Sequence, residues 1–262
     1  MKRMFILAQG SFLAATSIYA VKSQEPLTGV SQCPAWDSNW DFMQAECLVK
    51  PNSSDEDISA KKSKATRKLY LIRHGQYELD GKTDNAKVLT KLGQEQAVIT
   101  GKHLSKLDVE FSNVYISTME RAKETGNIIL NQIKDCEKAD SFSIERSDML
   151  REGHPINSIP YHRFKPDLWE FQDGSRIEAA FRRYFHRAHH SQDETTHEVM
   201  VCHANVIRYF ICRAIQVAPE RWLRMSLANG SVTEITIDQD GKVSVSGVGE
   251  KGFMPIEKIT YT

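Results

Sequence analysis

The chain has 262 residues, with 34 basic and 34 acidic side chains and a formal net charge of zero. Length admits one domain or two. A 40% hydrophobic and 26% charged composition excludes a disordered tail and a multi-span membrane protein. The charge balance lacks the electrostatic footprint of a nucleic-acid binder. Five cysteines (Cys33, Cys47, Cys136, Cys202, Cys212) are scattered and form no C-x-x-C pair. That argues for reduced thiols, against a disulfide framework and against a zinc site.

In chain order, the first element is an uncharged run from Met4 to Val21, preceded by Lys2 and Arg3 and closed by Lys22. As a helix it is about 27 Å long at 1.5 Å per residue, near the thickness of a bilayer core. A cleaved secretory signal with Ala20 near the cut fits this stretch, and so does a retained anchor. We carry residues 1–21 as a transmembrane or signal-anchor helix. No second run of that length follows, so the chain spans a membrane once at most. Residues 22–66 read as a flexible linker: Pro26, Pro34 and Pro51 break regular structure, and an acidic block at 55–57 precedes the basic Lys61, Lys62, Lys64, Arg67 and Lys68. Inside it lies Trp36-Asp37-Ser38-Asn39-Trp40-Asp41-Phe42. Exposed aromatic rings are costly in water, so this is a docking peptide, for a neighbouring copy or for the chain's own domain.

From residue 67 the pattern is α/β. Lys68–Ile72, Asn113–Ile116 and Glu198–Cys202 are apolar runs of strand type. Ala122, Gly126, Ile129 and Ile133 mark a helix over Glu120–Ile133. Ile177, Phe181, Tyr184 or Phe185, and Ala188 mark another, and Asn205–Ile215 a third. Ser231–Asp238 and Lys242–Ser246 flank Gln239-Asp240-Gly241, a hairpin. Strands alternating with helices predict a mostly parallel sheet covered on both faces, with an antiparallel edge. His186, His189 and His190, at helical spacing with Arg182, Arg183 and Arg187, read as a solvated helix face.

Four short motifs sit at strand ends, where open α/β sheets bind ligands. They are Arg73-His74-Gly75, Ser117-Thr118-Met119-Glu120-Arg121-Ala122-Lys123-Glu124-Thr125, Arg151-Glu152-Gly153 and His203-Ala204-Asn205. Arg121 lies near a helix N-terminus, a natural anion seat. In combination the four motifs resemble the histidine phosphatase superfamily, the phosphoglycerate mutase-like enzymes, over roughly residues 67–262. The resemblance implies a three-layer α/β/α domain with a mostly parallel central sheet. The W-D-x-N-W-D peptide and the N-terminal segment resemble one branch of that superfamily, mitochondrial serine/threonine protein phosphatases. That branch implies a homo-oligomer assembled and activated through Trp36, Asp37, Asn39, Trp40 and Asp41. It also implies a single-pass anchor in the outer mitochondrial membrane, and work in mitochondrial quality control, dynamics or stress signalling.

The chemistry follows from the residue types. Cleaving a phosphate ester at neutral pH needs a nucleophile, cations for the oxygens and an acid for the leaving group. His74 is the candidate nucleophile, through a phosphohistidine. Arg73 and Arg121 clamp the phosphoryl oxygens bidentately. His203, if protonated, adds charge and a donor. Glu152 protonates the serine or threonine oxygen of a phosphoprotein, then takes a proton from water. The set calls for no metal and no cofactor. In small-molecule mutases of the superfamily an asparagine that touches phosphate follows R-H-G; here Asp80 falls at that place and would repel the anion. That weighs against a phosphoglycerate mutase or small-molecule phosphatase. A non-enzymatic scaffold built on the docking peptide is the remaining reading.

Overall fold

The computed structural model describes residues 35–134, 142–161 and 167–261. The expected membrane helix at 1–21 lies outside them, as do Cys33, Cys136 and His162. No helix among the described residues is long and apolar enough to cross a membrane.

The strands are β1 (Arg67–Arg73), β2 (Phe111–Ser117), β3 (Ser143–Ser147), β4 (Thr196–Cys202), β5 (Val232–Ile237) and β6 (Val243–Glu250). They form one six-stranded sheet in the order β3-β2-β4-β1-β5-β6. The β3–β2, β2–β4 and β4–β1 pairs are parallel, and β5 and β6 add the antiparallel edge. The helices are α1 (Asp55–Ala60), α2 (Lys91–Leu104), α3 (Glu120–Lys134), α4 (Asp167–Tyr184) and α5 (Ala204–Ala214).

The period-two alternation of a strand splits the interior into two cores. Leu69 and Leu71 of β1, with Met200 and Cys202 of β4, join Ile177 and Phe181 of α4 and Phe210 of α5. Tyr70 and Ile72, with Val199 and Val201, join Leu104 of α2 and Ile129 and Ile133 of α3. Helices therefore cover both faces, as three layers. The central strands are buried on both sides, which is why they read as unbroken apolar runs rather than alternating ones.

The structure corrects two expectations. From Trp36 on, the supposed flexible linker belongs to the same compact unit as the α/β domain. Trp40 is buried, packs against Phe181 with its ring tilted by 37°, and donates its indole N–H to Gly241 O at 2.8 Å. Asp41 receives Arg187 through two guanidinium nitrogens, Nη2 at 2.8 Å and Nε at 2.9 Å, and through its backbone N–H at 2.8 Å. The other motif residues shape the turn: Asp37 Oδ1 accepts from Asn39 N, and Asn39 Oδ1 accepts from Gln44 N. Trp36 stays 42% exposed. The second correction concerns the histidine-rich helix face. Helix α4 ends at Tyr184, because Arg67, paired with Glu198, takes the carbonyls of Tyr184 and His186. Arg187 is not a solvated helical residue but the buried partner of Asp41.

Removing one side of a buried ion pair costs up to about 3–5 kcal/mol. Asp41 can leave with its peptide, so Arg187→Ala is expected to lose about 3 kcal/mol at most. Urea unfolding reads the loss, and a red shift of Trp40 emission reports the undocking. An unchanged midpoint and spectrum would refute the coupling.

Candidate active site

The carboxyl ends of β1, β2, β3 and β4 converge. Arg73 is the last residue of β1 and His74 the first beyond it, its N–H bonded to Cys202 O at 3.0 Å. Gly75 meets α2 so closely that a Cβ would lie 2.5 Å from Gly93 O, so no side chain fits there. Its N–H goes to Thr125 Oγ1 at 3.0 Å, the threonine that ends the second motif. Asn229 Nδ2 donates to His74 O at 3.2 Å, so the Asn229-Gly230 turn braces the His74 backbone.

His74 is 2% exposed. Its Nδ1 lies 2.8 Å from Gly75 O, an acceptor only, so the ring proton sits on Nδ1 and Nε2 carries the lone pair. Burial, then Arg121 and Arg73, hold its pKa well below the ordinary histidine value. The imidazole is thus neutral at physiological pH, the nucleophilic form. Arg121 donates Nε–H to that Nε2 at 3.2 Å, and its guanidinium lies over the Tyr77 ring at 4.6 Å. Arg73 spends one donor on Leu227 O at 2.6 Å, while its buried Nε has no partner among the described residues. Burial lowers the Arg73 pKa to about 10, which leaves it charged at neutral pH.

His203 precedes α5 directly, with its ring centroid 5.1 Å from that of His74. Burial, then His74 and Arg121, hold its pKa well below the ordinary value. The free site therefore differs from the protonated form considered above: His203 is neutral. Its Nε2 is 2.8 Å from Ser117 Oγ, which accepts from Met119 N. The serine hydrogen is then free for Nε2, and the imidazole proton falls on Nδ1, a buried donor without a partner among the described residues. Glu152 follows β3 and a short 3₁₀ turn at Asp148–Leu150. Burial raises its pKa, against the pull of Arg121, the Gly153 N–H, Arg73 and Arg208. A carboxyl that holds its proton is the form that can donate it.

All five expected site residues meet here. The sequence reading missed others. Asp80 is exposed; the carboxylate that reaches the clamp is Asp84, 3.5 Å from Arg121 Nη1 and 3.9 Å from Arg151 Nη1. Arg208 of α5 adds a third cation acting on Glu152. Its position, five residues past His203 on a helix, was a signal available in the sequence. Among histidines outside the motifs, His103 stacks on Phe253, His154 meets Trp222 edge-on and His197 bonds Tyr70, all packing roles. No metal-binding cluster occurs among the described residues.

Residues 69–248 match the histidine phosphatase superfamily, branch 1. The mitochondrial serine/threonine-protein phosphatase PGAM5 of Xenopus laevis is 43% identical over 267 residues, covering 98% of this chain and 93% of that protein. The protein of the same name from Homo sapiens is 44% identical over 236 residues, covering 86% of this chain and 80% of its own length. Among solved structures, a phosphoglycerate mutase from Plasmodium falciparum is 32% identical, with a TM-score of 0.51, covering 76% of this chain and 99% of that one. One from Bacillus anthracis, 20% identical with a TM-score of 0.53 over 73% of this chain and 96% of its own, shares the fold. The chain belongs to the histidine phosphatase superfamily, in the family of the PGAM5 serine/threonine-protein phosphatases.

Proposed function

We propose that the chain is a protein serine/threonine phosphatase that works through a phosphohistidine on His74. One observation carries the reading: a buried, neutral imidazole with its proton fixed on Nδ1, its Nε2 lone pair beside Arg121. Nε2 attacks the phosphorus of a phosphoserine or phosphothreonine. The P–O bond to the side chain breaks, and Glu152 gives its proton to the departing oxygen. Arg73 and Arg121 take the phosphoryl oxygens, with His203 Nδ1–H as a further donor. Water then attacks the phosphohistidine, the N–P bond breaks, and Glu152 takes the water proton back. Inorganic phosphate leaves and the enzyme returns to its starting protonation.

The names of the relatives support a mitochondrial site of action and protein substrates. The N-terminal run is proposed to anchor the chain in a mitochondrial membrane, the outer one, in a single pass. The 36–41 peptide is proposed to assemble copies into an active homo-oligomer, its seat on one copy's α4 and β5–β6 hairpin receiving the peptide of another. Likeness to phosphoglycerate mutase from Plasmodium falciparum favours a second reading, small phosphate esters as substrates.

The test is phosphate release by the full chain from phosphoserine and phosphothreonine peptides, beside 2- and 3-phosphoglycerate. Turnover of the peptides supports the proposal. Turnover or interconversion of phosphoglycerates alone would replace it with the second reading. Fractionation with and without residues 1–21, and light scattering of Trp36→Ala and Trp40→Ala chains, test the anchor and the assembly.

A further inference from the structure

The Glu152 carboxyl is acted on by the charges of Arg121, Arg73 and Arg208 and by a hydrogen bond from its own neighbour. Its side chain accepts the N–H of that neighbour, Gly153, at 3.3 Å. The backbone that carries it, Arg151–His154, has no regular structure. What fixes that backbone comes from α4. Arg176 donates to Arg151 O at 2.6 Å, Met149 O at 3.0 Å and Glu152 O at 3.2 Å. Its fourth bond, to Asp173 Oδ1 at 2.9 Å, aligns the guanidinium. Asp173 Oδ2 in turn accepts His154 N at 3.1 Å. Gly153 lies so deep in this cradle that a Cβ would come within 2.5 Å of Asp173 Cγ and 2.7 Å of Arg176 Nη2. From the other side Asn205 Nδ2 holds Gly153 O at 3.1 Å.

We infer that the Asp173–Arg176 pair positions Glu152 for proton transfer. Arg176 is not a catalytic residue: its bonds run to the backbone around Glu152, not to the reacting atoms. A planar, multi-donor guanidinium can satisfy three converging carbonyls at once, and an ammonium cannot. The base of the device is rigid, because the next residues of α4, Ile177, Ala180 and Phe181, are buried in the core. Proton transfer tolerates little displacement, and an error on the order of 1 Å costs about 100-fold. The inference rests on Glu152 as the general acid.

The test separates the two ideas by leaving group. An alkyl phosphate such as a phosphoserine peptide needs a proton on its departing oxygen, and 2,4-dinitrophenyl phosphate does not. The quantity is kcat/KM, which covers the steps up to phosphohistidine formation, measured on the full chain. Arg176→Gln is expected to lose about 30- to 100-fold on the peptide and less than about 3-fold on the aryl ester. Arg176→Lys is expected to match it. Asp173→Asn, which keeps an acceptor, is expected to lose about 3- to 10-fold on the peptide alone. Retained aryl-ester activity shows in the same assay that each variant is folded. Glu152→Gln is the reference. If it loses the peptide selectively and the Arg176 and Asp173 variants do not, the positioning role is overturned. If Glu152→Gln shows no selectivity, the general-acid reading itself falls.

Discussion

A His74→Ala chain is expected to lose phosphatase activity by on the order of 10⁴-fold or more, because removing a nucleophile removes the covalent route entirely. The loss should be the same on every phosphate ester, alkyl or aryl, since each must pass through the same N–P bond. The parent chain, quenched in turnover with labelled phosphopeptide, should carry acid-labile, alkali-stable phosphate, and the variant none. The fold should survive, since the imidazole's hydrogen bonds run to its neighbour's carbonyl and from Arg121, and it lies outside both apolar cores. Turnover that persists in a folded His74→Ala chain would end the phosphohistidine mechanism.

Glu152→Gln should cost about 10²- to 10⁴-fold in kcat/KM on phosphopeptides, the range of a lost general acid. It should also change what limits the aryl ester. Phenolate leaves without a proton, but the phosphohistidine then waits for water without a base. A burst of phenolate close to one per site, followed by slow turnover, is the expected trace. The pH profile follows the same group. Burial raises the Glu152 pKa, and the protonated form drives the first step. The parent's kcat/KM on peptides should therefore fall as pH rises through that elevated value, while the Gln variant shows no such limb. His74, with its pKa held well down, stays neutral and adds no limb near neutrality. An identical alkaline limb in the variant would assign the titration to another group.

The strands and helices of the α/β domain were legible because their apolar spacing is set by two-sided burial. Leu69 and Leu71 serve one core and Tyr70 and Ile72 the other. Arg73, His74, Arg121, Glu152 and His203 were legible because strand ends carry them in short motifs. Three features were not. Trp40 and Asp41 seat on α4 and the β5–β6 turn by contacts more than 140 residues away in sequence, which no local pattern encodes. The end of α4 depends on Arg67, a residue of another element, taking two carbonyls. Asp84 reaches Arg121 from a three-residue 3₁₀ turn, Asp84–Ala86, too short to leave a periodic signal, so Asp80 was the nearer guess in sequence and the wrong carboxylate in space.

The neutral His203 has a consequence for the proton inventory of the cycle. Its Nδ1–H is buried, with no acceptor among the described residues, in a ring that Arg121, Arg176 and Arg73 all act on. When a phosphate dianion settles there, its two negative charges oppose the burial and the neighbouring positive charges that keep the ring neutral. An opposite charge so near raises an imidazole pKa by one to three units, roughly. Anion binding and proton uptake are then one thermodynamic event, and the heat of binding should vary with the ionisation heat of the buffer. The same linkage runs in reverse at the end of turnover. As product phosphate departs, the proton that came in with the substrate must go too, so acidity that tightens the grip on substrate also slows the surrender of product.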